Sequence, residues 1–90
     1  MTAIQKINKR DKAIKYYEKL ININRKYFEA YVKLAALMVE TDMQKARGLL
    51  RTCLMMSPRY KPAIITLADT YRNTNPDSSK KYDELANTIE

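Results

Sequence analysis

The feature that most constrains this chain is an interval. Side chains of matched size return every 33 residues. Stepping forward by that interval, Tyr31 meets Ile64, Leu34 meets Leu67, Ala35 meets Ala68 and Met38 meets Tyr71. Stepping back by it, Ala46 meets Ala13, Leu50 meets Tyr17, Cys53 meets Leu20 and Met56 meets Ile23. Two independent sets at one offset are hard to obtain by chance. A period of this length marks a supersecondary unit that cannot bury its own apolar face and must stack on a copy of itself.

The unit is clearest from Phe28 to Pro58. Tyr31, Leu34, Ala35 and Met38 make one helical stripe, and Ala46, Leu49, Leu50, Cys53, Leu54 and Met56 make a wider one. Between them, Thr41 and Asp42 are short polar residues suited to closing one helix and capping the next. Pro58 cannot continue a helix, so the second stops near Met56 or Ser57. The expected spans are Tyr27 to Glu40 and Met43 to Met56. With one Gly and three Pro in 90 residues, and no sustained alternation of apolar and polar residues, the class is all-α.

The same pattern assigns the flanks. Thr2 to Ile7 is expected as a short helix, Asn8 to Arg10 as a turn, and Asp11 as a cap or first-turn acid. Lys12 to Ile23 is expected as a helix with Ile14, Tyr17, Leu20 and Ile21 inward. Pro62 fits the first turn of a helix running to Asn73, and Asn75 with Pro76 reads as a cap and first helical residue. The last helix, Asp77 to about Thr88, is expected to bury Tyr82, Leu85, Ala86 and Ile89. An offset of 33 puts Ser79 at its small inward position; an offset of 32 puts Ser78 there, aligns Tyr82 and Leu85 better, and is the expected register. Five to six helices in one domain result, with no linker.

These residues resemble the tetratricopeptide repeat family, whose period is about 34 residues. Lys6 to Asn24 is similar to the turn and second helix of such a repeat, with Ala13, Tyr17 and Leu20 at its small and apolar positions. Tyr31, Leu34, Ala35, Met38, Ala46, Leu50, Cys53 and Pro58 match in the middle, and Ile64, Leu67, Ala68 and Tyr71 match at the end. The turn at Thr41 and Asp42 is one residue short and lacks Gly. Arg25 stands where Pro is typical, and Ala35 and Ala68 replace a frequent Gly. Ankyrin repeats have a similar period, but their TPLH-type signature is absent.

The resemblance implies a right-handed α-solenoid of antiparallel helix pairs: residues 1–26 a partial first repeat, 27–59 a second, 60–90 a third. It implies a non-catalytic protein-interaction scaffold within a larger assembly, holding a peptide or helix of a partner in a groove lined by the first helix of each pair. The residues so placed are Glu29, Val32, Lys33, Ala36, Val39 and Glu40, then Ile65, Thr66, Asp69, Arg72 and Asn73. Thr2, Gln5 and Lys6 join from the truncated helix. The alternative is that these are ordinary solvated helix faces. Some family members clamp a C-terminal carboxylate with Lys, Asn and Arg; only Lys33 is chemically suitable here, so no chaperone-tail clamp is expected.

Charge is uneven. The net charge is +7, and nine of the 17 basic residues lie up to Lys33 against three acids. Lys12, Lys15 and Lys19 share one outward helical face. They form either a solvated face or a docking patch for an acidic partner. RNA is one such partner and the runner-up function, with Tyr16 available for stacking.

An enzyme is a poor third class. No His is present, Asp83 and Glu84 diverge, and no phosphate loop, metal-ligand spacing or nucleophile motif is found. No cofactor or metal is expected. Cys53 lies on the apolar stripe and reads as a core residue in a reduced, intracellular, cytoplasmic setting. No apolar run approaches the ~20 residues of a membrane span. The N-terminus lacks a signal-peptide core, and its basic amphipathic pattern reads as repeat rather than transit peptide. Both ends are expected to be imperfectly capped, so that the chain self-associates, joins an assembly or belongs to a longer array.

Overall fold

The computed structural model describes residues 2–89, with side-chain surroundings from residue 9 onward. Five helices run in order: α1 (Thr2–Ile23), α2 (Phe28–Met38), α3 (Met43–Met56), α4 (Lys61–Tyr71) and α5 (Pro76–Asn87). The other described residues lie in short connections or, at 88 and 89, after α5. Each helix packs against the next, and α2 also packs against α4. Among the described residues, α3 makes no such approach to α1 or to α5.

The interval of 33 reappears in the backbone. At the turn after α2, the amides of Thr41 and Asp42 both donate to the Met38 carbonyl, at 3.2 and 2.7 Å. One interval on, after α4, Thr74 and Asn75 donate to the Tyr71 carbonyl at the same two distances. The other turn repeats as well. Asn24 donates to Leu20 and Ser57 to Cys53, each at 2.9 Å; Tyr27 donates to Asn24 and Tyr60 to Ser57, each at 3.0 Å. Asp42 and Asn75 then cap alike: their side-chain oxygens accept from Lys45 N at 3.1 Å and Ser78 N at 3.2 Å. The molecule is therefore all-α with repeat-like helix packing.

The core is the predicted stripe. Leu34, Leu50, Ile64, Leu67 and Cys53 are its largest fully buried side chains, and burying each aliphatic one is worth about 1.5–3 kcal/mol. Ala35, Ala46 and Ala68 are fully buried between them. A methyl group at those positions lets neighbouring helices approach closely, and Ala30 and Ala63, also one interval apart, do the same.

Several expectations are corrected. No turn forms at Asn8 to Arg10; α1 runs through it, and Asp11 lies inside the helix rather than at its cap. The segment holds neither Gly nor Pro, and extending a nucleated helix adds one hydrogen bond per residue, which outweighs the weak turn preference of one Asn. The described residues accordingly form five helices, within the expected five to six. The register of α5 follows 33, not 32: Ser79 and Ala86 are buried against α4, one interval after Ala46 and Cys53, whereas Ser78 is only partly covered. Small residues sit where α4 and α5 approach, so Leu85 is pushed to the edge, 44% exposed, and Tyr82 stacks on Tyr71 with ring centroids 5.9 Å apart. Met56, in the last turn of α3, is largely uncovered. The expected roles of Thr2, Gln5 and Lys6 fall on side chains outside the described ones.

Candidate functional site

The faces expected to line a groove belong to α2 and α4, which begin alike. Tyr27 and Tyr60 precede them, and their carbonyls accept from Ala30 and Ala63 at 3.1 Å in both cases. Phe28 and Tyr60 meet at 5.7 Å between ring centroids, tying the starts of the two helices together. With the buried positions equivalent, the outward positions are equivalent too: Val32 with Ile65, Lys33 with Thr66, Ala36 with Asp69, Val39 with Arg72, and Glu40 with Asn73.

On α2, Glu29, Lys33 and Ala36 are exposed and Val32 is half-buried against the core; Val39 and Glu40 lie just past its end, in the turn to α3, the first half-buried and the second exposed. On α4, Ile65 is 42% exposed and Asp69 is open to solvent; Arg72 and Asn73, also exposed, lie past the end of the helix at Tyr71 rather than within it. Asp69 and Arg72 pair at 2.6 Å. Thr66 is half-buried, and its hydroxyl donates to the Pro62 carbonyl at 2.7 Å. The surface is thus a few apolar side chains set among charges of both signs.

Part of the α2 set leans toward α1 instead. Arg10 reaches Glu40 at 3.3 Å. Glu29 and Lys33 line a cleft of about 160 Å³ between α1 and α2, together with Tyr16, Tyr17, Leu20, Tyr27 and Ala30. A second cleft, of about 210 Å³, lies between α1 and α3, beside the Glu18–Lys45 pair at 3.9 Å. Lys12, Lys15 and Lys19 are all exposed on α1, and among the described residues none of them forms an ion pair.

Sequence reasoning missed Arg47. Its guanidinium is buried between α3 and the end of α4, 4.1 Å from the Tyr71 ring centroid. It donates to Thr70 Oγ1 at 3.2 Å, to the Thr70 carbonyl at 2.6 Å and to Thr74 Oγ1 at 3.0 Å. Nothing within α3 signals this, because every partner lies more than 20 residues away. Arg51 donates to the Tyr71 hydroxyl beside it.

Burial pushes the Cys53 thiol up to about 11, and burial followed by the nearby Cys53 and Glu29 raises the Tyr60 phenol. Among the described residues, no three of Cys, Asp and Glu gather closely enough to hold a metal ion. Nor, among the described residues, is any helix long and apolar enough to cross a membrane. Comparison with protein-family models, with curated proteins and with solved structures finds no match to this chain.

Proposed function

We propose that this chain is a tetratricopeptide-like scaffold: a right-handed α-solenoid of antiparallel helix pairs that holds a peptide or helix of a partner protein along the joined faces of α2 and α4, within a larger assembly. One observation carries the reading. The backbones of the first helices of successive units, α2 and α4, approach each other closely, while those of the second helices do not, and α1 and α3 meet only through side chains such as the Glu18–Lys45 pair. A stack whose one row is crowded and whose other row is spread bends toward the crowded row, and the inside of that bend is the concave face of such arrays. The α2–α4 face is then the inner one. Its apolar positions Val32, Val39 and Ile65 supply burial, and the charges around them supply orientation.

Panning a random peptide library on the intact chain tests the reading. Selected peptides should lose about tenfold or more in affinity against Ala36→Glu or Ile65→Glu. Both positions are exposed, so an unchanged helical circular dichroism spectrum is expected. Failure to select any peptide, or selection of peptides indifferent to both substitutions, removes the α2–α4 face as the binding surface.

A further inference from the structure

α1 carries two apolar stripes; one packs against the core, and the other is only half covered. Ile14, Tyr17 and Ile21 pack against the core. Ala13, Tyr16, Leu20 and Ile23 recur at spacings of three, four and three, the repeat of a helix-pairing seam. Tyr16 is 59% exposed and Ile23 74% exposed. One interval later on α3, Ala46 and Cys53, the equivalents of Ala13 and Leu20, are fully buried. The difference has a cause: among the described residues α3 packs along both α2 and α4, whereas α1 packs along α2 and meets α3 only through the Glu18–Lys45 pair and the cleft beside it. Along this stripe Ala13 and Leu20 are only half-buried, and Tyr16 and Ile23 stand open to solvent. The cleft between α1 and α2 lies directly beside it, with Leu20 and Tyr16 on its near wall and Tyr27 and Ala30 on its far wall.

Charge says what would cover it. Lys12 and Lys19 sit one residue before Ala13 and Leu20, which places both on the same flank of the seam, where charges choose the partner in paired helices. A second copy of this chain would bring its own surplus of +7 and set lysines against lysines. We propose that an acidic amphipathic helix of a partner protein docks here, its apolar residues on Ala13, Tyr16, Leu20 and Ile23, its carboxylates on Lys12 and Lys19. The proposal shares with the scaffold reading the premise that the chain binds proteins, but its surface is separate from the α2–α4 face.

The probe is a fluorescein-labelled peptide about three heptads long, with Leu on its seam and Glu on both flanks. A twin carries Lys for Glu. Fluorescence anisotropy with the full chain should show saturable binding of the acidic peptide and none of the twin. The double variant Tyr16→Ser with Ile23→Ser should weaken binding about tenfold or more, with helicity intact because both side chains are exposed. Ile65→Glu on α4 should leave it unchanged, which separates failure here from failure of the groove. Lys12→Glu with Lys19→Glu should reject the acidic peptide and accept the twin, a gain that misfolding cannot produce. The proposal is overturned by an acidic peptide that does not saturate or is indifferent to the double variant. It is equally overturned if the same residues bind an oligouridine instead, or if sedimentation shows a dimer that Ile23→Ser dissolves.

Discussion

Arg47 sets the energetic problem at the scale of single residues. A cation at 8% exposure has lost most of its hydration, and among the described residues no carboxylate approaches it. Neutral oxygens and the face of Tyr71 compensate instead. Thr70 Oγ1 accepts from Arg47 while donating to the Leu67 carbonyl at 2.7 Å, so the network is closed. Arg47→Ala should therefore destabilise the fold by about 2–4 kcal/mol, through lost stem packing and a stranded Thr70 carbonyl. Urea denaturation reads this as a lower midpoint at unchanged slope. Cys53 gives a second test. Its thiol ionises near 9.0 when free and near 11 when buried. The unfolded chain thus releases this proton first as pH rises. Stability from this group is complete below pH 9, falls between 9 and 11, and is not recovered above. The raised Tyr60 phenol acts in the same sense at higher pH. The urea midpoint should drop less from pH 8 to pH 10.5 in Cys53→Ala than in the parent. Equal drops would mean that the thiol is not the titrating group.

At the scale of elements, the caps carry the prediction. Asp42 and Asn75 occupy equivalent positions with nearly the same backbone, φ −152 and ψ 80 against φ −150 and ψ 82. Each satisfies one otherwise unpaired amide of its helix. Asp42→Ala and Asn75→Ala should each cost about 1 kcal/mol, and Asp42→Asn far less, by the same denaturation measurement. These caps also explain what was legible. α3 spans Met43–Met56 as expected because Asp42 punctuates its start and Ser57 with Pro58 its end. α1 had no such punctuation at Asn8 to Arg10, and residue preference alone cannot stop a helix that has begun. The phase of α5 depended on whether large or small residues face α4, which is a question of interhelix distance, not of pattern. The apolar faces of α2 and α4 could be read from spacing. That Glu40 pairs with Arg10 could not, because Asn8 to Arg10 was expected to be a turn.

At the scale of the molecule, burial is distributed unevenly along the stack. The largest fully buried side chains belong to α2, α3 and α4. From residue 9 onward α1 has none in the buried class, and α5 has only Ser79 and Ala86. In the proposed array each unit is stabilised by its neighbours, so a helix flanked on one side opens at a lower free energy than one flanked on two. Amide hydrogen exchange should follow that order. The central helices should exchange only through global unfolding, and α1 through local opening that costs several kcal/mol less. α5 should fall between, since its face against α4 is closely packed by small residues. Uniform protection from α1 to α5 would contradict the array description. The acidic peptide adds a second reading of the same experiment. A helix seated on Tyr16, Leu20 and Ile23 gives α1 the second neighbour that α3 already has. Saturating peptide should therefore slow exchange in α1 toward the global rate and leave α5 unchanged, whereas a partner held on the α2–α4 face would slow neither end selectively.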